Sequence, residues 1–360
     1  MKVVSIVGAR PQFIKAAMVS RALREQGARE VIVHTGQHYD ANMSRVFFDE
    51  LDIPRPDVNL GIGGGTHGEN TGRMIEAIEK VLLKEKPDWV VVYGDTDSTL
   101  AGALAAVKLH IPIAHVEAGL RSFNRRMPEE INRVVTDHVA DLLFAPTETA
   151  VMNLHREGLP AERIALVGDV MYDAALYYAA KARVQSRVLQ RLALVPGSYI
   201  LATIHRAENT DEPQRLETIM TALEQVAWKL PVVMPLHPRT RQALVRLGRP
   251  PESFTALRLI EPVGYLDMIQ LEQHAQRIVT DSGGVQKEAF FFRVPCVTLR
   301  TETEWVELVQ SGWNQLVPPL SVEAVVQALT IPIAQGEDLS LYGDGAASQR
   351  IARLLGERAF

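Results

Sequence analysis

Three acidic residues of this 360-residue sequence could carry acid/base chemistry. Asp95 lies in the segment GDTDS, Glu117 in HVEAGLRS, and Glu129 in PEEINR. Asp95 and Glu117 each follow a short apolar run of the strand type, so both are expected at one edge of a sheet. Burial or a neighbouring acid can raise the pKa of a carboxyl group until it exchanges protons near neutral pH. The three residues therefore suit acid/base catalysis, and the sequence does not assign base and acid among them.

Other acidic residues nearby have simpler interpretations. Asp95 and Asp97 could together hold a divalent metal ion with a nucleotide diphosphate, but no third acidic ligand lies close in the sequence. We favour Asp97 or Ser98 as the N-cap of the following helix. Glu130 opens a helix, where an acid commonly interacts with the helix dipole. We therefore predict no metal site and a structural role for Glu130.

The turn after the first apolar run, GARPQFIK, places Arg10 and Lys15 where open α/β sheets bind ligands. A dinucleotide site would need GxGxxG at this turn, which has one glycine. The glycine run at 63–65 is not followed by Gly-Lys-Ser/Thr, so a Walker phosphate-binding loop is also excluded. Arg10 and Lys15 are then two cations that could bind an anionic ligand. The alternative is that both are solvated surface charges.

A second candidate for anion binding opens the segment DSGGVQKE. Its small residues leave backbone N–H groups open at the positive end of a helix, which is a natural phosphate cradle. These residues are Ser282, Gly283 and Gly284. Glu288, one turn further, could accept hydrogen bonds from ribose hydroxyls. A plain strand–turn–helix connection is the alternative.

Apolar runs and helical stretches alternate along the whole chain, which predicts α/β architecture with parallel sheets covered on both faces. Two such series follow each other, indicating two doubly wound Rossmann-like domains that face a cleft, 1–170 and 171–360. The last helix could pack back on the first domain. The strand candidates are 3–7, 31–35, 89–93, 113–116, 142–145, 164–167, 199–204, 232–236, 257–260, 278–280 and 296–299.

Composition excludes several classes of protein. The chain is 47% hydrophobic with a net charge of −5, which argues against a disordered chain and against non-specific nucleic-acid binding. Its single cysteine, Cys296, allows no internal disulfide. No uncharged apolar stretch approaches the roughly 18–20 residues that span a bilayer. We expect a cytoplasmic protein that binds neither nucleic acid nor membrane.

As an ordered set, the segments resemble the non-hydrolysing UDP-N-acetylglucosamine 2-epimerase family. The set spans essentially the whole chain: GARPQFIK, GQH, GDTDS, HVEAGLRS, PEEINR, HRAEN, DSGGVQKE and the TE pair before Trp305. The resemblance implies a glycosyltransferase-B fold, a homodimer, and a reaction without nicotinamide or metal. It implies that the second domain chiefly holds UDP, through His205, Ser282, Gly283, Gly284 and Glu288. It implies that Arg10, Lys15, Asp95, Glu117 and Glu129 lie near the sugar and diphosphate, with His205 also counted among the catalytic residues.

The implied reaction interconverts UDP-N-acetylglucosamine and UDP-N-acetylmannosamine for cell-surface polysaccharide precursors. No carbonyl acidifies the C2–H bond of this substrate, and the missing GxGxxG argues against oxidation by a bound nicotinamide. The remaining route expels UDP from C1 as the C2 proton leaves, which gives a 2-acetamidoglucal. Protonation from the opposite face and return of UDP complete the inversion.

Departures from the family pattern leave the substrate open. The family start of TRPE type is ARPQ here, its HxNP is HPRT, and its TERPE is TEWVE, so an arginine commonly placed on the diphosphate is missing at Trp305. These variants resemble the branch that acts on UDP-2,3-diacetamido-2,3-dideoxyglucuronate. A glycosyltransferase of the same fold, a hydrolysing 2-epimerase and an inactive UDP-sugar sensor are less favoured alternatives.

The resemblance also extends to regulation. In bacterial members a second UDP-sugar activates the enzyme through the GQH region and two later positions. The corresponding residues of this chain are Gln37, His38, Arg206 and His237. We expect them to be candidates for an allosteric site.

Overall fold

The computed structural model describes residues 1–37, 55–331 and 340–358. The chain forms two compact units, Met1–Tyr177 with Ser340–Phe360, and Tyr178–Leu339. We call these the first and second unit. The division follows Tyr177, where the sequence pattern placed it after residue 170, and the C-terminal segment belongs to the first unit.

The first unit contains a seven-stranded parallel sheet of order β3-β2-β1-β4-β5-β6-β7. Its strand order reverses at β1, which is the switch point where open α/β sheets bind ligands. The strands are β1 (Lys2–Val7), β2 (Arg29–His34), β3 (Val58–Asn59), β4 (Trp89–Tyr93), β5 (Ile113–Val116), β6 (Leu142–Ala145) and β7 (Ile164–Leu166). The helices are α1 (Arg10–Glu25), α2 (His67–Glu85), α3 (Asp97–Lys108), α4 (Pro128–Val139), α5 (Glu148–Arg156) and the last, α15 (Ala347–Glu357). The helix α6 (Val170–Gln185) begins in the first unit and ends in the second.

The second unit contains a six-stranded parallel sheet of order β10-β9-β8-β11-β12-β13. Numbered from its own first strand, it repeats the 3-2-1-4-5-6 order of the first unit, so the prediction of two doubly wound halves is confirmed. The strands are β8 (Ile200–Thr203), β9 (Val232–Pro235), β10 (Arg258–Ile260), β11 (Arg277–Thr280), β12 (Cys296–Thr298) and β13 (Asn314–Leu316). The helices are α7 (Val188–Arg191), α8 (Ala207–Thr210), α9 (Pro213–Ala227), α10 (Pro238–Arg246), α11 (Tyr265–Gln273), α12 (Gly283–Phe291), α13 (Val306–Gln310) and α14 (Val322–Thr330).

Burial explains which strands the sequence revealed. Every residue of β4, WVVVY, is buried, as expected for a strand covered by helices on both faces. The bounds of β4, β5 and β6 agree with the sequence prediction. The sequence did not predict β3 and β13, because these short edge strands carry too few apolar residues to form a run.

The C-terminal segment is joined to the first unit by hydrogen bonds between side chains and backbone groups. Asp173 Oδ1 accepts from Ala347 N at 3.1 Å, and its Oδ2 accepts from Ser348 N at 2.7 Å, at the start of α15. Arg350 Nη1 also donates to the carbonyl of Val167 at 3.1 Å. In the part of the chain that the structure describes, no helix is both long and apolar enough to span a bilayer.

Candidate active site

Two of the three candidate catalytic acids follow neighbouring strands. β4 and β5 pair in parallel, and Gly94 N donates to the Val116 carbonyl at 3.0 Å just past their ends. Asp95 is the next residue after Gly94, and Glu117 is the next after β5. The structure therefore places Asp95 and Glu117 at one sheet edge, as the sequence predicted.

Glu117 forms an ion pair with Lys15 of α1. Lys15 Nζ donates to Glu117 Oε2, and only 8% and 10% of the two side chains are exposed. Gly94 makes room for this pair: its φ is 62°, and a Cβ there would lie 3.2 Å from Lys15 Nζ and 3.3 Å from Glu117 Oε2. A side chain at position 94 would therefore be strained and would crowd the pair. Of the residues predicted near sugar and diphosphate, Lys15 and Glu117 are in direct contact.

The backbone of Glu117 is itself strained. Its φ of 74° lies in the left-handed region, which costs a non-glycine residue about 1–3 kcal/mol. Glu117 N and Ala118 N both donate to the Phe144 carbonyl at 3.1 Å, which fixes this turn against β6. Strain of this kind persists where the surroundings hold it, commonly at functional sites.

Asp95 is paired with Arg133 of α4, a residue that the sequence analysis did not single out. Arg133 donates to Asp95 Oδ2 from Nε at 3.0 Å and from Nη2 at 2.6 Å. Asn132 Nδ2 donates to the Asp95 carbonyl at 2.9 Å. The PEEINR segment therefore positions Asp95, and the sequence signal was an arginine one turn after Glu129.

Glu130 is buried and anchors the loop that precedes α4. Its carboxylate accepts from Ser122 N and Phe123 N, both at 2.9 Å, and from Arg133 Nη1 at 2.7 Å. Burial alone would raise the pKa of Glu130, but the hydrogen bonds from Ser122 and Arg133 prevail and hold it below its ordinary value. The structural interpretation of Glu130 agrees with these contacts, which add a loop anchor to the expected helix-dipole role.

Glu129 lies in the first turn of α4 and is exposed. Among the described residues, its side chain forms no hydrogen bond or ion pair. It precedes Arg133 by four residues, so the two side chains share one helix face. The structure thus places Glu129 beside the residue that holds Asp95.

The prediction that Asp97 or Ser98 caps the helix was wrong. The cap of α3 is Thr96, whose hydroxyl accepts from Thr99 N at 3.4 Å. Asp97 lies within the helix, where its carboxylate contacts His67 Nδ1 at 2.8 Å and Asn132 Nδ2 at 3.3 Å. These tertiary contacts engage the carboxylate that the cap would have needed. Within the described ranges, no three acidic, histidine or cysteine side chains form a group that could hold a metal ion.

The remaining candidates of the first unit are described only in part. Arg10 begins α1, and its side chain lies outside the described part of the structure. Gln37 Oε1 accepts from Ser98 N at 3.1 Å and from Ser98 Oγ at 2.6 Å, and Gln37 lines a cavity of about 660 Å³. His38 lies outside the described residues.

In the second unit, a buried aspartate that the sequence analysis missed fixes His205. Asp281, with no exposed surface, accepts from His205 N at 3.1 Å, from Arg206 N at 3.0 Å and from Asn209 Nδ2 at 3.0 Å. His205 Nδ1 lies 3.4 Å from Asp281 Oδ1. Asp281 directly precedes Ser282, so its carboxylate links the HRAEN turn to the residue before the start of α12.

The predicted phosphate cradle is the N-terminus of α12. Ser282 is the N-cap residue, and its side chain makes no capping hydrogen bond. Gly283 faces Glu304, because a Cβ at position 283 would lie 2.5 Å from Glu304 Oε1. Gly284 is exposed. The structure therefore confirms a strand–turn–helix start without bulky side chains, while phosphate binding there stays a prediction.

Glu288 is buried inside the second unit and accepts a hydrogen bond from the Tyr265 hydroxyl at 2.8 Å. Burial, together with the charge of Glu288, raises the pKa of Tyr265 well above its usual value, so the phenol remains a donor. This contact orients the carboxylate on α12. A role toward ribose hydroxyls stays a prediction.

His237, one of the residues assigned to regulation, lies next to His205, with ring centroids 5.4 Å apart. His237 is the N-cap residue of α10, and its Nδ1 accepts from Arg239 N at 3.1 Å. Arg206 follows His205 directly and is partly exposed. The second unit therefore brings Arg206 and His237 together around His205.

Trp305, which replaces the arginine expected from the family pattern, is buried against a cation. Lys287 Nζ lies 4.1 Å from the centroid of the Trp305 ring, and Lys287 is only 2% exposed. Arg300, also buried, donates from Nη1 to Glu304 Oε2 at 2.9 Å. Two cations of the second unit therefore lie close to the TEWVE segment, and neither is among the site residues predicted from the sequence.

Comparison with known proteins identifies the family of this chain. The family model described as UDP-N-acetylglucosamine 2-epimerase matches residues 21–356. The UDP-2,3-diacetamido-2,3-dideoxy-D-glucuronate 2-epimerase of Pseudomonas aeruginosa is 56% identical over 99% of both chains. The UDP-N-acetylglucosamine 2-epimerase of Methanocaldococcus jannaschii is 46% identical, again over 99% of both chains.

Solved structures give the same result. The crystal structure of the Methanocaldococcus jannaschii enzyme with UDP-GlcNAc and UDP has a TM-score of 0.92 and covers 99% of this chain and 100% of its own. The Neisseria meningitidis enzyme bound to UDP-GlcNAc has a TM-score of 0.90 at 32% identity, with 99% and 100% coverage. The resemblance read from the ordered motifs is therefore confirmed, together with the glycosyltransferase-B type of fold. This chain belongs to the UDP-N-acetylglucosamine 2-epimerase family of sugar-nucleotide isomerases.

Proposed function

We propose that this protein inverts C2 of a UDP-2-acetamido-2-deoxyhexose by eliminating UDP and adding it back. The observation that carries the proposal is the placement of two ionic pairs, Lys15 with Glu117 and Arg133 with Asp95, after neighbouring strands of one sheet. A pure binding protein would not need two buried or half-buried carboxylates held at this edge.

The chemistry requires more than one proton-transfer group. Elimination removes the C2 proton from one face of the ring, and inversion requires a proton to be delivered to the other face. One carboxyl group cannot reach both faces in a fixed geometry, so at least two are needed. We propose that Asp95, Glu117 and Glu129 provide them, with base and acid unassigned.

The leaving group needs positive charge. We propose that the second unit binds UDP at the start of α12, through Ser282, Gly283 and Gly284, and that His205 and Glu288 complete the nucleotide site. Arg10 and Lys15 are proposed to stabilise the diphosphate. Preorganised donors aimed at developing charge contribute about 3–4 kcal/mol each to such a step.

Two substrates fit the proposal. UDP-2,3-diacetamido-2,3-dideoxyglucuronate is favoured because the Pseudomonas aeruginosa relative named for it is 56% identical over 99% of both chains. The TEWVE segment supports the same choice, because its departure from the family pattern resembles that branch. UDP-N-acetylglucosamine is the second candidate, because relatives with this name match the chain over nearly its full length.

The test offers each UDP-sugar separately in heavy water and follows C2 by NMR. Deuterium at C2 of both epimers is the expected result. Retention of hydrogen at C2 during inversion contradicts elimination. Accumulation of UDP with the free amino sugar indicates a hydrolysing enzyme instead, and a strict need for an acceptor indicates a glycosyltransferase.

We also propose that the enzyme is a cytoplasmic homodimer and that Gln37, His38, Arg206 and His237 contribute to activation by a second UDP-sugar. The family resemblance supports these points, and the closeness of His205 and His237 supports the regulatory assignment alone. Sedimentation measures the oligomeric state. A rate that rises when a small amount of UDP-N-acetylglucosamine is added to the other substrate measures the activation.

A further inference from the structure

His115 occupies a fully buried position on β5, and both of its ring nitrogens are engaged. Nε2 lies 2.7 Å from the carbonyl oxygen of Gly94, and Nδ1 lies 2.6 Å from Asp137 Oδ1. A carbonyl oxygen only accepts hydrogen bonds, so Nε2 carries a proton. An ionised carboxylate also only accepts, so Nδ1 carries one as well. A ring with protons on both nitrogens is an imidazolium cation.

The environment of Asp137 favours its ionised form. Its second oxygen, Oδ2, accepts from Gly119 N at 3.1 Å and lies 2.8 Å from Arg121 Nη1. Both of these donors are independent of His115, and they stabilise the carboxylate form of Asp137. Arg121 donates in turn to both carboxylate oxygens of Glu157, at 2.6 and 2.7 Å. Two cations and two anions therefore balance within this buried network.

The network is attached to the backbone on each side of the candidate acids. Gly94 directly precedes Asp95, His115 lies two residues before Glu117, and Gly119 lies two residues after it. The Gly119 N–H group and the His115 ring contact Asp137 directly, and the Gly94 carbonyl is linked to Asp137 through that ring. The strained backbone of Glu117, with φ of 74°, is thus held from both sides.

We infer that His115 is a positioning residue: a buried imidazolium whose two N–H groups fix the backbone that presents Asp95 and Glu117. Because its ring has no exposed surface, it acts through those residues and not by contact with the substrate. The inference rests on the proposed function only for its expected effect on kcat. The protonation state of the ring is testable independently of any activity.

The first experiment is NMR of the full-length protein carrying ¹⁵N-labelled histidine. At neutral pH the His115 ring is expected to show two protonated nitrogens, and its signals are assigned by their loss in His115→Gln. Asp137 contacts the ring directly, Arg121 contacts Asp137, and the Lys15–Glu117 pair lies next to Gly94. A single protonated ring nitrogen at neutral pH would overturn the inference, whether or not the protein is active.

The second experiment compares two amide variants. In His115→Gln the amide nitrogen can still reach the Gly94 carbonyl, and in His115→Asn it can reach Asp137, so each retains one of the two contacts. We expect kcat for C2 inversion to fall about 10- to 100-fold in both, because small displacements of catalytic groups have effects of this size. KM and UDP affinity should change less than about threefold, because the substitutions leave in place the groups that bind the substrate in its ground state.

Asp141→Ala is the matched control. Asp141 Oδ2 accepts from Ile113 N at 2.9 Å, so its removal weakens the other end of the same strand. If this control and the His115 variants lose stability equally but only the His115 variants lose kcat, the positioning role is supported. Equal loss of kcat in all three variants contradicts it. A wild-type protein that fails to exchange C2 hydrogen refutes the proposed function, while the NMR result still decides the state of the ring.

Discussion

Arg133 donates from both Nε and Nη2 to a single carboxylate oxygen, Oδ2 of Asp95, at 3.0 and 2.6 Å. The same guanidinium donates from Nη1 to Glu130 at 2.7 Å. One side chain therefore joins a candidate catalytic carboxylate to the carboxylate that anchors the preceding loop. Only an arginine offers this fork of donors in a fixed plane.

Replacing Arg133 by lysine should misplace Asp95. An ammonium group can keep one contact but not the three that the guanidinium makes. Charged hydrogen bonds of this kind contribute about 1.5–3 kcal/mol each, so kcat/KM should fall roughly 10- to 100-fold. Steady-state rates of C2 inversion measure the effect. Arg353→Lys, an exposed change on α15, is the control, and equal rates in the two variants would contradict the assignment.

Glu117→Gln should strongly slow the exchange of C2 hydrogen with solvent. The amide keeps the shape of the side chain but cannot take up a proton, and it removes the charge that pairs with Lys15. Loss of a proton-transfer group lowers rates about 10²- to 10⁴-fold. Deuterium incorporation measures the rate, and calorimetry with UDP should show affinity within several-fold of wild type. Glu76→Gln, on the exposed face of α2, controls for a lost surface charge.

Glu129 and Glu130 should separate catalysis from stability. Glu129→Gln should leave the free energy of unfolding within about 0.5 kcal/mol because the side chain is exposed. Glu130→Gln should lower that free energy by about 2–3 kcal/mol because its carboxylate receives charged and backbone hydrogen bonds. Urea unfolding and C2 exchange together test the pair. A stable but inactive Glu130 variant, or an unstable Glu129 variant, would reverse the assignment.

Glu130 should also make stability depend on pH in the acid range. Its pKa is held below the ordinary 4.5 in the folded state, so folding favours the ionised form. The resulting stabilisation is present above about pH 4.5 and is lost as the pH falls through the lower folded-state pKa. Urea midpoints between neutral and acid pH should therefore fall more steeply for wild type than for Glu130→Gln. Parallel curves would show that Glu130 does not contribute.

Asp281→Ala should weaken UDP binding. Without the carboxylate, the backbone N–H groups of His205 and Arg206 lose their acceptor and the HRAEN turn is released. Hydrogen bonds to a charged group contribute about 1.5–3 kcal/mol, so UDP affinity should fall roughly 10- to 100-fold. Calorimetry measures it. Asp267→Ala, which removes contacts to Ser186 and Arg191 elsewhere in the same unit, should leave UDP affinity unchanged.

The sequence by itself determined the two α/β series and the edges where chemistry could occur. Apolar runs located β4, β5 and β6 to the residue, because a strand buried on both faces must be apolar throughout. Residues that directly follow such strands, Asp95 and Glu117, were therefore identifiable from local pattern. The start of α12 was identifiable for the same reason, since Ser-Gly-Gly after a strand is a local signal.

Only the tertiary structure decided which side chains meet. Arg133 reaches Asp95 across 38 positions and Asp281 reaches His205 across 76, and no periodicity in the sequence encodes such pairings. They depend on the strand order and on the rotation of each helix about its axis. The cap of α3, by contrast, is set locally, because Thr96 and Thr99 exchange side-chain-to-backbone hydrogen bonds. The local pattern identifies the side chains that are available for chemistry. Long-range packing decides which of them contact each other and therefore which charged groups each one faces.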